Sequence, residues 1–140
     1  MTTFASAITC IDGRVLRPVV EWSLARCGVD AVDIVTEPGV DGSLPQLVDD
    51  LRRRLAPSID KHGSHEVILA GHEDCAGNPV SEETHREHLA VAAAALSEAL
   101  GPEIDVTPIY VHLDGTVDEL EPPARPGEQA RDEADTGERR

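Results

Sequence analysis

The chain has 140 residues, enough for one domain with one sizeable core, and 40% of them are apolar. Only Phe4, Trp22 and Tyr110 are aromatic, so that core must rest on Val, Leu, Ile and Ala. A formal net charge of −15 argues against nucleic acid and anionic membrane surfaces as partners, and no stretch is long and apolar enough to span a bilayer.

Residues 4–10 read as a first strand. Pro18 suits the first turn of a helix running to Arg26, with Leu16, Val20, Leu24 and Cys27 on one stripe, Val19 beside them and Gly28 at the end. Val32 to Thr36 reads as a second strand, followed by the turn-rich Pro38-Gly39-Val40-Asp41-Gly42. Ser43 can cap a second helix with Pro45 in its first turn and Leu47, Leu51 and Leu55 on its apolar face. Arg52, Arg53 and Arg54 on that helix read as a solvated face.

Glu66 to Ala70 is a third strand, short and apolar as buried parallel strands are. Ser81 can cap a long helix through Leu100, with Glu82 and Glu83 at its positive end and Ala90 to Ala95 as a small-residue face. Ile104 to Leu113 is a fourth strand. Asp114-Gly115 is a hairpin signal, and Thr116 to Leu120 would return antiparallel at the sheet edge. The expected fold class is α/β, three layers α/β/α, with a mostly parallel central sheet and an antiparallel edge hairpin. From Glu121 the chain is Pro, Gly, Glu, Asp and Arg with almost nothing apolar. Residues 1–120 are therefore expected to form the domain and 121–140 a disordered tail.

Two motifs carry the chemistry. Cys10-Ile11-Asp12-Gly13-Arg14 follows the first strand, and Gly71-His72-Glu73-Asp74-Cys75 follows the third. Strand ends converge on one crevice in a parallel α/β sheet, so residues distant in sequence can meet there. Two thiolates and one imidazole make a three-ligand zinc set with a fourth position left for water. Taken singly, Cys10 and Cys75 would read as small buried hydrophobes and His72 as a loop histidine; the pairing, each after a strand, points to metal. An odd count of three cysteines argues against a purely disulfide role, and Cys27 fits the helix core. The start, Met1-Thr2-Thr3-Phe4, lacks a signal-peptide pattern, so a cytoplasmic protein is expected.

The order strand, Cys-x-Asp-x-Arg, helix, strand, helix, strand, Gly-His-x-x-Cys, helix, strand, hairpin resembles the β-class carbonic anhydrases. Cys10 to Val15, Thr36-Glu37-Pro38-Gly39 and Gly71 to Val80 resemble a compact branch of that superfamily. The resemblance implies Cys10, His72 and Cys75 as ligands of zinc, and Asp12 with Arg14 as a dyad that orients a zinc-held hydroxide toward carbon dioxide, releasing bicarbonate. In some members the same aspartate becomes the fourth ligand and shuts the site. It implies a lyase acting on a small molecule, and a homodimer or higher homo-oligomer. Gly13 stands where the family usually has serine. The arginine-asparagine-rich loop is replaced by Thr36-Glu37-Pro38-Gly39. The N-terminal arm is expected to be absent, and no glutamine precedes the first strand. Two other readings stay open: a zinc hydrolase of another small cumulated substrate such as carbonyl sulfide, and a structural zinc protein with Asp12 as permanent fourth ligand.

His62, His65, His85, His88 and His112 are candidate proton relays by chemistry. His85 and His88 share a helix face but lack a third metal ligand. Gly77-Asn78-Pro79 reads as a turn beneath the metal loop, and Gly39 and Gly42 bound a loop placed to line the pocket.

Overall fold

A computed structural model describes residues 1–124. Five strands form one sheet: β1 (Phe4–Thr9), β2 (Ala31–Thr36), β3 (Glu66–His72), β4 (Asp105–Val111) and β5 (Val117–Glu119). Three helices connect the parallel strands: α1 (Gly13–Cys27), α2 (Val40–Ala56) and α3 (Glu82–Leu100). The spatial order is β2-β1-β3-β4-β5, parallel except for the β4–β5 hairpin. The expected α/β/α architecture is therefore the observed one. The tail expected beyond residue 120 lies, from residue 125 on, outside the described residues.

Strand periodicity divides the core. Val67 and Leu69 face α2 and α3 together with Ile8, while Ile68 and Ala70 face α1 together with Ala7. Buried parallel strands have two apolar faces, which is why β3 reads as an unbroken apolar run. The helix layer changes sides because the chain reverses direction across the sheet. It leaves β1 through α1 to β2, then crosses back through α2 to β3 on the other side of β1. That switch point lies at the carboxyl ends of β1 and β3, the place where an open α/β sheet forms a crevice.

Helix ends account for most departures from the sequence reading. α1 starts at Gly13, because Asp12 caps it: its Oδ1 accepts the Arg14 N–H at 2.9 Å. Pro18 therefore lies inside the helix rather than in its first turn. The buried stripe is Val15, Val19 and Ser23, and Leu16 is exposed. α2 likewise starts at Val40, after Gly39 in the left-handed region, with Pro45 inside it. Ser43 does not cap it; its hydroxyl donates to the Gly39 carbonyl at 3.4 Å. Leu51 and Leu55 are buried with Val40 and Leu44, and Leu47 packs at their edge. Arg52, Arg53 and Arg54 do form a solvated face, paired with Asp49, Asp50 and Glu37. The remaining boundaries match closely. Gly28 ends α1 at φ 64°, and Ser81 caps α3 by accepting the Thr84 N–H at 3.2 Å. Within the Ala90–Ala95 run only Ala92 and Ala93 are fully buried. After α2, a π-helical turn at Pro57–Lys61 leads to β3, where Ser58 joins Ser6 and Ser64 in a buried hydroxyl chain of 2.7 Å contacts.

Candidate metal centre

Both motifs end at the switch point. Cys10 is the first residue past β1, and His72 is the last residue of β3 rather than part of the following loop. Cys75 completes the tight turn after it. Asp74 in that turn has φ 57°, a left-handed conformation that Asp tolerates better than most residues.

The donor atoms of Cys10, His72 and Cys75 lie within 4.8 Å of one another, and all three residues are buried. The two sulfurs are 3.9 Å apart and both thiols are free. A disulfide would need about 2.05 Å, whereas two Zn–S bonds of about 2.3 Å at a tetrahedral angle separate the sulfurs by about 3.8 Å. The His72 Nδ1 meets the Glu73 carbonyl at 2.8 Å. Its Nε2 is buried without a partner, which is costly for a polar atom unless something else satisfies it. The residues present thus fit a zinc ion by donor chemistry, spacing and the orphaned nitrogen. Burial pushes the Cys75 thiol up, while the Asn78 and Gly77 N–H groups beside it pull the other way. The Gly39 N–H points at the Cys10 sulfur from 3.5 Å.

Asp12 and Arg14 form a close pair beside this set. Arg14 Nη2 donates to Asp12 Oδ2 at 2.7 Å and Nε to Oδ1 at 3.1 Å. The guanidinium, with the Arg14 backbone N–H, holds the Asp12 carboxyl at about 2, well below the ordinary carboxylate value. Arg14 also reaches the metal turn, donating to the Asp74 carbonyl at 3.1 Å and to its carboxylate at 3.3 Å. The Asp12 carboxylate is not one of the donors gathered within 4.8 Å. A cleft of about 390 Å³ opens over the turn, lined by Arg14, Asp74, Cys75, Ala76, Pro79 and Val80. The groove between α2 and α3, about 640 Å³, contains none of these residues.

The histidines separate by position. His62, stacked on Phe4, and His65 lie at the amino end of the sheet. β3 puts roughly 20 Å between them and the donors, so they lie away from the donor cluster. His85 is fully buried against Asp41 at 2.5 Å. His112 is clasped by Asp118 at 2.8 Å. His88 touches the metal loop through Asn78 at 3.0 Å. Burial pushes the Cys27 thiol up to about 12, as suits its packing against the α1 core.

The sequence reading missed Asp41. The run Pro38 to Gly42 reads as a turn, yet Asp41 occupies the first turn of α2 and joins Asn78 and His85. The shared helix face of His85 and His88 was the one available signal.

A sequence model of the family described as "Putative carbonic anhydrase" matches residues 1–121. No curated protein sequence matches the chain. Several solved structures are similar. The β-carbonic anhydrase isoform I of Trichomonas vaginalis has a TM-score of 0.58 at 19% identity, covering 85% of this chain and 83% of that one. The carbonic anhydrase of Glaciozyma antarctica has a TM-score of 0.57 at 17% identity, covering 83% and 81%. A tetrameric β-carbonic anhydrase of Sordaria macrospora has a TM-score of 0.58 at 10% identity, covering 86% and 82%. At such identities the likeness is one of fold.

Proposed function

The chain belongs to that carbonic anhydrase family, within the β-carbonic anhydrase superfamily, and from this membership we propose that it hydrates carbon dioxide to bicarbonate at a zinc ion held by Cys10, His72 and Cys75. The observation that carries the reading is the buried cluster of those three donors, with the His72 Nε2 left free to ligate. When bound, zinc would supply Lewis-acid activation of water near neutral pH.

The chain's own residues supply the rest. Asp12, kept ionised by Arg14, is a permanent hydrogen-bond acceptor at the edge of the donor set. It could accept a hydrogen bond from the O–H of the nucleophile, without removing its proton, and so aim a lone pair at the substrate carbon. Arg14 fixes that carboxylate and ties it to the turn bearing Cys75, so nucleophile and metal loop keep one geometry. The lining of Ala76, Pro79 and Val80 offers an apolar wall to a small uncharged substrate. With both Asp12 oxygens held by Arg14, the catalytic reading is favoured over one in which Asp12 would be a permanent ligand of a structural ion.

A homodimeric, cytoplasmic enzyme is part of the proposal. Exposed Ile11, Leu16 and Val80 flank the two motifs and suit a subunit contact. Among the described residues no helix is long and apolar enough to cross a membrane. Stopped-flow hydration of carbon dioxide by protein of verified zinc content tests the activity. Turnover supports it. Absence of turnover at full zinc occupancy sinks it, and hydrolysis of carbonyl sulfide in its place would redirect the substrate.

A further inference from the structure

Asp41 is the only buried acid among the described residues, 2% exposed. Taking a carboxylate out of water is costly unless it is paired and hydrogen-bonded. Asp41 meets both conditions: Oδ2 accepts from His85 Nδ1 at 2.5 Å, and Oδ1 accepts from Asn78 Nδ2 at 3.1 Å. An apolar pair of the same volume could hold α2 against α3 equally well, so stability alone does not account for this one.

Its position does. Asp41 abuts neighbours of all three donors. Gly39, two residues before it, directs its N–H at the Cys10 sulfur. Asn78, its amide partner, closes the turn after Cys75 by donating its backbone N–H to the Cys75 carbonyl at 3.3 Å. Gly71, just before His72, leaves the space Asp41 occupies: a Cβ there would lie 2.9 Å from Asp41 Oδ2. The carboxylate thus meets the segments before His72 and after Cys75, while its own segment carries the Gly39 N–H that faces Cys10.

We propose that Asp41 is the positioning residue of the Cys10–His72–Cys75 donor set, acting through Asn78 and Gly71 and held in place by His85. The inference rests on the zinc reading above. Outer residues that orient ligating groups commonly govern metal affinity without touching the metal.

The test uses full-length protein and two readouts other than turnover: zinc affinity by competition with a chromophoric chelator, and the absorption bands of the cobalt(II) form. Asp41→Asn keeps the shape and removes the charge. Asn78→Ala leaves the Asp41–His85 bond and cuts the tie to the Cys75 turn. Leu96→Ala, in the core on α3, controls for simple loss of stability. Asp41→Asn is expected to weaken zinc binding roughly 10- to 100-fold and shift the cobalt bands. Asn78→Ala should give part of that loss, and the double variant less than the product of the two. Leu96→Ala should melt earlier with wild-type affinity and spectrum. Should Asp41→Asn not fold, Asn78→Ala decides on the same readouts. Wild-type affinity and spectrum in both network variants overturn the inference, as do losses equal to that of Leu96→Ala. A wild type that binds neither metal overturns the zinc reading as well; a wild type that binds, with variants its equal, overturns this inference alone.

Discussion

Gly39 and Gly77 face one another with no room for a side chain on either. A Cβ on Gly39 would sit 2.4 Å from the Gly77 carbonyl carbon and oxygen, and one on Gly77 would sit 2.6 Å from the Gly39 nitrogen. The segment entering α2 and the turn carrying Cys75 are thereby in direct backbone contact. Gly42 extends the seam, since a Cβ there would meet the Asn78 side chain at 2.8 Å. The stretch from Gly39 to Gly42, expected as a loop, is the cap and first turn of α2, and it packs on the turn that carries Cys75.

Gly39→Ala therefore has two costs. The overlap is with backbone on both sides, which cannot rotate away, and φ is 58°. We expect a loss of about 3 kcal/mol or more in urea unfolding of the metal-free protein, together with weakened zinc binding. Gly63→Ala is the comparison. It has φ 73° but open space around it, so about 1 kcal/mol is expected and metal binding should be unchanged. Equal effects of the two would remove the packing argument.

Cys10→Ser, His72→Ala and Cys75→Ser should each abolish stoichiometric zinc in the purified protein, because three donors are the minimum the site offers. Added zinc should then raise the melting temperature of the wild type and leave these variants unmoved. Metal analysis beside thermal melts gives the answer, and a variant retaining full zinc would displace that residue from the set.

Arg14→Ala separates charge from orientation at Asp12. With Arg14 in place the carboxyl sits at about 2, below the ordinary 3.8. Its contribution to stability is present above the ordinary value and lost only as pH falls toward 2. Without Arg14 the pKa returns toward that ordinary value, yet Asp12 stays ionised at neutral pH. A fall in kcat/KM at pH 7.5 would then report lost orientation, and we expect roughly 10²-fold, with zinc content intact. Asp12→Ala should cost at least as much. Full activity in both would leave the pair a helix cap alone.

The hydrogen bond to Asp118 raises the His112 pKa above its ordinary value. The sign follows: the clasp stabilises the β4–β5 hairpin below the ordinary histidine value and is lost as pH rises through the raised one. His112→Gln should lower the melting temperature by about 1–3 °C at pH 5.5 and by nearly nothing at pH 9. In Asp118→Asn the His112 ring resonances should titrate at lower pH by NMR. A cost independent of pH would assign the hairpin to Arg86, which also holds Asp118.

Much of this was legible in the sequence because it rests on local chemistry. Gly28 and Ser81 mark helix ends wherever they occur, and the β3 run needs only its own residues to read as a doubly buried strand. The starts of α1 and α2 were not legible. Pro18 and Pro45 suggested first turns, but Asp12 caps α1 further back and α2 begins at once after Gly39. Asp12 is both the ion-pair partner of Arg14 and the cap of α1, and a spacing argument sees only the first. The Asp41–Asn78–His85 group was hidden for a different reason: its members meet only once α2, the metal turn and α3 have packed.

The strand order has a bearing on when the site can exist. β1, α1 and β2 can close on one another without it, leaving the second edge of β1 bare. As the chain emerges during synthesis, the Cys10 thiol appears early and waits. The three donors can share one ion only after β3 docks on that bare edge and residue 75 has followed. On the proposed zinc reading, metal capture would be a late event of assembly, one that staples the seam between the half of the sheet made first and the half made last.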